Sequence, residues 1–191
     1  MSIELLRRAA DYARDVMAAL PSDDLRLRTP CADWDLARLV LHVADSADGL
    51  VGLAETGDLA MPDPPRVDAP APVSVAYASM ERLAATLSTA APTEATASAA
   101  DAGAIELTMH GWDIGVARDP RHATPAELAN DVYELASALV LDDARGSRFG
   151  PRITVPPDAS PSDRLAGFLG RRPPVAVTGR AGPALAAGGA A

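Results

Sequence analysis

The segment Ile105-Glu106-Leu107-Thr108-Met109-His110-Gly111-Trp112-Asp113 has the spacing of a helix with two different faces. At about 100° per residue, its side chains form two neighbouring stripes, an apolar one (Ile105, Met109, Trp112 and Val116) and a polar one (Glu106, His110 and Asp113). The apolar stripe predicts a packed helix. The polar stripe places Glu106 and His110 one turn apart, where a carboxylate and an imidazole can reach one metal ion. The same pair also fits an ion-free surface pair or a satisfied, partly buried histidine, and these residues alone leave that alternative open.

Composition limits the class of protein. The 191 residues suffice for one domain with its own core, and the single cysteine, Cys31, excludes an internal disulfide framework. The first turns of the chain lack the apolar core of a signal peptide, and no apolar run has the length of a membrane span. A net charge of -9 disfavours a phosphate backbone or an anionic membrane as partner. We therefore expect a cytoplasmic protein that binds neither nucleic acid nor membranes.

Helical spacing recurs along most of the chain. It predicts helices over residues 2–20, 34–55 and 74–89, one around the opening segment, one from 125 to about 144, and a short one over 160–169. Expected boundary signals are Asp33 as N-cap of the second helix, Thr124-Pro125-Ala126-Glu127 as a capping box, and Gly170 as the end of the last helix. The remaining segments predict a surface loop (57–73), a short connection (88–98), a brief extended piece (152–155) and a disordered tail (173–191).

Four long helices with short to moderate links predict an all-α four-helix bundle with an additional C-terminal helix pair. If the second and fourth helices face each other, His42, Glu106 and His110 can converge in the core of the bundle. Three protein ligands that leave a fourth position open are typical of a catalytic zinc site. Nickel, iron(II) or cobalt could be held by the same donors, so the pattern does not select one metal.

Two segments carry a resemblance to a known family. Thr29-Pro30-Cys31-Ala32-Asp33-Trp34-Asp35-Leu36, leading to Leu41-His42-Val43, and Glu106 to Asp113 resemble the metal-binding segments of the mycothiol-dependent maleylpyruvate isomerase family, within the DinB-like metalloenzyme superfamily. Phe149-Gly150-Pro151 and the run from Asp163 to Arg171 resemble the closing elements of a short actinobacterial branch. The resemblance covers residues 1–172, and leaves 173–191 as the tail. It implies a DinB-like four-helix bundle that holds a divalent metal through His42, Glu106 and His110.

The family also implies a chemistry. A metal with an open position can favour the thiolate of a low-molecular-weight thiol such as mycothiol, which then attacks a small electrophile. We therefore expect a metal-dependent thiol S-transferase or isomerase. The last segment does not resemble an isomerase-type C-terminal domain, which disfavours maleylpyruvate itself as substrate. The alternatives are a non-catalytic metal- or small-ligand-binding bundle, in the form of a homodimer or a monomer, and a purely structural helical domain.

Neighbouring polar residues have two interpretations each. Asp113 and Asp45 could orient a metal-binding histidine, or could be helix-surface charges, and for Asp113 the surface interpretation is slightly favoured. Arg38, one turn before His42, could hold an anionic cofactor or substrate, although an exposed arginine is the commoner case.

Three further residue types have simpler expectations. Cys31 is predicted to lie too far from His42 to share a metal, unless its loop folds back, and to pack as a small apolar side chain. Trp34 and Trp112 are predicted to anchor the core. His122 is predicted to be an exposed loop residue.

Overall fold

A computed structural model of the protein describes residues 2–31, 33–145 and 149–174. These residues form α-helices and two short 3-10 helices, with no strand among them, which confirms the all-α prediction. The α-helices are α1 (Ser2–Ala18), α2 (Leu36–Thr56), α3 (Pro72–Thr89), α4 (Glu94–Arg118), α5 (Ala126–Leu139) and α6 (Pro161–Phe168). Within these ranges no helix combines the length and the apolar character that a membrane crossing requires.

The first four helices form the bundle. Helix α4 packs against both α1 and α2, while α3 packs against α2 and more lightly against α1. Apolar side chains from all four helices fill the space between them, including Leu6, Met17, Leu39, Val43, Leu83, Leu107 and Trp112. Burial of each large apolar side chain contributes about 1.5–3 kcal/mol, so this shared core is the main source of the fold's stability.

Helix α4 is the central helix of the molecule. From Gly103 to Val116 every residue is buried except Glu106, which is partly exposed. The prediction that a polar stripe would lie beside an apolar one was therefore incomplete, because α1, α2 and α5 surround the helix and enclose both stripes. Gly111 permits the close approach of α1, since a Cβ atom there would lie 2.7 Å from the Tyr12 ring.

Helix starts differ from the predicted ones. The N-cap of α2 is Asp35, whose Oδ1 accepts a hydrogen bond from the Arg38 backbone at 2.9 Å, and the predicted cap Asp33 instead has a positive φ of 68°. Helix α4 begins at Glu94, inside the predicted connection. Two hydrogen bonds of a capping box fix its start. The Thr93 side chain accepts from the backbone N–H of Thr96, and the Thr96 side chain accepts from the backbone N–H of Thr93.

The predicted capping box at Thr124 is wrong. Pro125 occupies the N-cap position of α5 and makes no side-chain capping bond. The backbone N–H of Thr124 donates instead to Ser162 Oγ of α6 at 3.0 Å, so tertiary contact replaces the local cap. Helix α5 also ends at Leu139, earlier than predicted, and a 3-10 turn follows at Asp142–Ala144.

Helices α5 and α6 pack on each other, as the predicted C-terminal helix pair requires. Gly170, with φ of +81°, ends this pair as predicted. The end of the helical domain at residue 172 stays a prediction. A disordered tail was predicted for 173–191, and residues 175–191 lie outside the described part of the chain.

The connection between α2 and α3 has no regular structure, as predicted, but it is fastened to the bundle. The backbone N–H of Arg66 donates to Asp45 Oδ2 at 2.9 Å, and its guanidinium bonds Asp45 and Asp48. Arg82 of α3 also bonds Asp48, so one carboxylate of α2 joins the loop to a neighbouring helix.

Candidate metal centre

Helices α2 and α4 bring His42, Glu106 and His110 together. Oε1 of Glu106 lies 3.1 Å from Nε2 of His42 and 3.2 Å from Nε2 of His110. The two imidazole rings are nearly perpendicular, with centroids 5.0 Å apart. Glu106 and His110 share a face because they are one turn apart on α4, and α2 supplies the third group because it packs against that face. The structure therefore places the three predicted donors at one point.

The donor set suits a divalent metal. Two imidazole nitrogens and one carboxylate oxygen bind zinc at about 2.0–2.2 Å, which corresponds to donor separations of about 3.3–3.6 Å in a tetrahedron. The separations of 3.1 and 3.2 Å are close to this range. The side chains of His42 and Glu106 are 24% and 28% exposed while that of His110 is 6% exposed, so the cluster opens to solvent on one side. A small ligand could reach a metal held here from that side.

Ser46 supports this cluster and was missed from the sequence. Its hydroxyl donates to Glu106 Oε1 at 2.7 Å and lies 3.3 Å from His42 Nε2. The signal was available, because Ser46 follows His42 by one helical turn and so shares its face. The hydroxyl restrains the carboxylate oxygen that both histidines approach.

The charges within the cluster stabilise one another. Burial alone would raise the pKa of Glu106, but the attraction and hydrogen bonding of His110 and His42 hold that pKa well below its usual range. Burial would likewise lower the pKa of His110, but Glu106 and then Asp113 raise it well above the usual value. A divalent cation at this point would compensate the charge of the Glu106 carboxylate in place of a proton.

Asp113 orients His110. It is fully buried, and its Oδ2 lies 3.0 Å from His110 Nδ1 and 3.1 Å from Nη2 of Arg171. The favoured surface interpretation of Asp113 was therefore wrong, because α4 is enclosed on this side by the segment after α6. Burial opposes ionisation, yet His110 and Arg171 lower the pKa of Asp113. An ionised Asp113 accepts a hydrogen bond from a protonated Nδ1 and leaves Nε2 as the nitrogen available to a metal ion.

Cys31 also lies beside His110, because its loop folds back, which is the exception that the sequence prediction allowed. Its Sγ is 3.4 Å from Asp113 Oδ2 and 4.0 Å from His110 Nδ1. The loop folds back because the backbone N–H of Thr29 bonds the carbonyl of Trp34 at 3.2 Å, just before α2 starts. Cys31, His110 and Asp113 therefore form a second group of potential metal donors.

The two groups share His110 and cannot both use it as a neutral ligand. A neutral imidazole has one lone pair, and hydrogen bonding of Nδ1 to Asp113 assigns that lone pair to Nε2. The guanidinium of Arg171 against Asp113 would also repel a cation placed next to Cys31. The geometry thus favours the group formed by His42, Glu106 and His110.

Arg38 and Trp34 border the cluster. The Arg38 guanidinium lies 5.5 Å above the Trp34 ring, whose centroid is 4.7 Å from that of His42. Trp34 is partly buried and contacts the site rather than simply anchoring the core. Nη1 of Arg38 is buried and has no hydrogen-bond partner among the residues that the structure describes.

Asp45 and Trp112 are placed away from the cluster. Asp45 is 1% exposed, and its hydrogen bonds go to Arg66 of the loop, so the structure does not join it to His42. Trp112 is 1% exposed and lies in the core as predicted.

His122 is not an exposed loop residue. It is partly buried, and its Nε2 lies 2.8 Å from the Tyr12 hydroxyl on α1. A Cβ atom on Gly115 of α4 would lie 2.0 Å from the His122 ring, so the glycine makes the space for it. The i,i+4 glycines Gly111 and Gly115 were the sequence signal for this close packing, which lies on the side of α4 that faces α1.

Comparison with known proteins gives one match. A family model described as mycothiol maleylpyruvate isomerase N-terminal domain matches residues 6–115, more than half of the chain. No curated protein and no solved structure gives a significant match. The matched region contains His42, Glu106, His110 and Asp113, and it ends before α5, α6 and Arg171.

Proposed function

Because the chain belongs to the mycothiol maleylpyruvate isomerase N-terminal domain family, we propose that it binds one divalent metal ion through His42, Glu106 and His110. The observation that carries this proposal is the convergence of the two Nε2 atoms on one carboxylate oxygen, at 3.1 and 3.2 Å. Zinc is the proposed ion, since a mixed nitrogen and oxygen donor set with an open side suits it, with nickel or iron(II) as the alternatives.

The proposed activity is that of a thiol S-transferase or isomerase. A metal bound here would supply the positive charge that favours a thiolate at neutral pH. In a transfer, the thiolate sulfur would form a bond to an electrophilic carbon of a small substrate while a leaving group departs with its bonding electron pair. In an isomerisation, the sulfur would add to a conjugated double bond, and expulsion of the thiolate after rotation about the resulting single bond would re-form that double bond. Mycothiol is the proposed thiol, and the description of the matched family supports it.

Residues around the donors have distinct proposed roles. Ser46 holds the Glu106 carboxylate in place through its 2.7 Å hydrogen bond. Asp113 fixes the orientation of the His110 ring. Arg38 binds an anionic group of the thiol or the substrate, because its buried Nη1 has no partner in the described residues and its guanidinium stacks on Trp34 beside His42.

A non-catalytic metal- or small-ligand-binding bundle, monomeric or homodimeric, is the second candidate. The matched family model describes an N-terminal domain, and residues 6–115 already contain all three donors. Metal binding therefore does not require a further domain, whereas catalysis would need the groups that handle the substrate.

Elemental analysis tests the proposal. The protein would be purified without a metal-affinity column and compared with His42→Ala and His110→Ala. His122→Ala is the matched control, because this histidine follows α4 and packs against the side of the helix that faces α1. We expect about one ion per chain in the parent and in the control, and loss of the ion from both triad variants. No ion after reconstitution with zinc, nickel or iron(II) would overturn the proposal.

Activity then separates the two candidates. Zinc-reconstituted protein would be assayed with mycothiol, and with cysteine for comparison, against a panel of small electrophiles. Thiol consumption that requires both the metal and His110 supports the enzyme. A metal-loaded protein with no effect on the thiol reaction would leave the binding protein.

A further inference from the structure

The segment after α6 reaches the candidate metal centre through one side chain. Arg171 lies outside the family match, which ends at residue 115. Its Nη2 is 3.1 Å from Asp113 Oδ2, and its Nε is 3.4 Å from Oδ1. The guanidinium therefore faces both oxygens of a carboxylate that is 58 residues away in the sequence.

A helix-ending motif aims Arg171 at this position. The backbone N–H of Gly170 bonds the carbonyl of Gly167 at 3.1 Å, and that of Arg171 bonds the carbonyl of Ala166 at 2.8 Å. These two bonds, with Gly170 at φ +81°, form a Schellman motif. A Cβ atom on Gly170 would lie 2.7 Å from the backbone of Gly150, so only glycine fits this turn. Nη1 of Arg171 also bonds the Leu169 carbonyl at 3.1 Å, which restrains the side chain.

The contact matters because Asp113 is completely buried. A buried carboxylate is retained as an anion only where cations and hydrogen bonds compensate it. His110 supplies one hydrogen bond to this carboxylate, and the Cys31 thiol supplies a weak one. Among the described residues, Arg171 supplies the other side-chain bonds. Without Arg171, Asp113 would lose the group that holds it in place, and the His110 ring would lose its fixed orientation.

We propose that Arg171 is a positioning residue of the metal centre, acting through Asp113 on His110, so that the C-terminal segment completes a site whose donors all lie in α2 and α4. The inference rests on the proposed metal binding by His42, Glu106 and His110. Loss of a group hydrogen-bonded to a metal ligand, as Asp113 is to His110, commonly costs 10- to 100-fold in metal affinity, and loss of Arg171 reaches that range by releasing Asp113. The guanidinium is suited to the task because its planar fork can face both carboxylate oxygens.

Zinc affinity is the measurement that tests this inference. Chelator-stripped full-length protein would compete with a chromophoric chelator for zinc, for the parent, Arg171→Ala and Arg171→Lys. Arg172→Ala is the matched control, since it removes the same charge from the neighbouring, exposed residue. Thermal unfolding of each metal-free variant would show that the protein is folded. We expect Arg171→Ala to bind zinc about 10- to 100-fold more weakly, Arg171→Lys to be intermediate, and Arg172→Ala to match the parent.

A double-variant comparison separates positioning from general stabilisation. In an Asp113→Asn background, removal of Arg171 should produce no further loss of zinc affinity, because the carboxylate through which it acts is absent. Parent-level affinity in Arg171→Ala and Arg171→Lys would overturn the inference, as would an equal loss in both backgrounds. If Arg171→Ala does not fold, the same comparison with Arg171→Lys decides. A parent that binds none of zinc, nickel and iron(II) would overturn the proposed function. A parent that binds the ion as tightly as its Arg171 variants would overturn only this inference.

Discussion

Oδ2 of Asp113 lies 3.0 Å from Nδ1 of His110, which precedes it by one turn of α4. The Asp113 carboxylate has no exposed surface. The pair is local in sequence, but its burial is not, since α2, the loop at Cys31 and the segment at Arg171 close around it. A histidine whose Nδ1 is held in this way presents Nε2 in a fixed direction. This relationship connects the fold to the proposed chemistry.

Asp113→Asn should weaken zinc binding by about 10- to 100-fold, because a neutral amide cannot fix the Nδ1 proton as an ionised carboxylate does. Competition with a chelator measures the change. Asp45→Asn is the matched control, since Asp45 is equally buried on α2 but bonds Arg66. Equal losses from both variants would contradict a specific role of Asp113.

Cys31→Ala should retain the full metal content. The prediction follows because Nε2 of His110 faces Glu106 and His42, away from Cys31, and Arg171 already lies against the carboxylate next to Cys31. Elemental analysis of Cys31→Ala beside Glu106→Gln checks it, with loss expected only in the second. Loss of the ion from Cys31→Ala would identify the other donor group as the metal site.

Gly115→Ala should destabilise the fold by roughly 1–3 kcal/mol, because the new methyl group would lie 2.0 Å from the His122 ring, which must move away from Tyr12. Gly52→Ala on α2 is the control, since its Cβ would lie 3.7 Å from the nearest atom. That variant should be neutral or stabilised by up to about 1 kcal/mol. Urea unfolding compares the two, and equal effects would contradict the packing argument.

Arg66→Ala should lower the free energy of unfolding by roughly 1–3 kcal/mol, because it removes the guanidinium that pairs with the buried Asp45 and with Asp48, although the backbone N–H of residue 66 still donates to Asp45. Arg66 is 34% exposed, so solvent reduces the loss below that of a fully buried pair. Arg26→Ala, at an exposed position, is the control and should be neutral. A parent-like Arg66→Ala variant would show that the loop contact does not contribute to stability.

Stability should depend on pH through His122. Burial lowers the pKa of His122 below its ordinary value of 6.5, against the opposing attraction of Asp119. Below pH 6.5 the unfolded chain therefore binds more protons at this residue than the folded protein does. The contribution of neutral His122 is complete above pH 6.5 and is lost as the pH falls through the lowered folded value. The free energy of unfolding, measured with urea, should fall more steeply between pH 7.5 and about 5 in the parent than in His122→Asn. Parallel curves would contradict the shift.

The sequence predicted most of the helices, and it identified His42, Glu106 and His110 as candidate metal donors. Helical spacing depends on neighbours three and four residues apart, so the periodicity of α1 to α4 and the pairing of Glu106 with His110 could be read directly. The facing of α2 and α4 was a condition of the predicted convergence, and the structure shows that these two helices pack against each other. The sequence did not predict all of the helix ends correctly. Asp35 rather than Asp33 caps α2, and a hydrogen bond to Ser162 of α6 replaces the predicted cap at Thr124.

Only the tertiary structure decided what surrounds the donors. Cys31 and Arg171 are brought to Asp113 by a loop that folds back and by a turn after α6, and His122 reaches Tyr12 across 110 residues of sequence. None of these three contacts leaves a periodic pattern in the sequence, because the direction of a loop or turn depends on hydrogen bonds and close packing between segments distant in the chain. Burial of Asp113 likewise follows from neighbours on three sides of α4, and burial is what changes a surface charge into a group that orients His110.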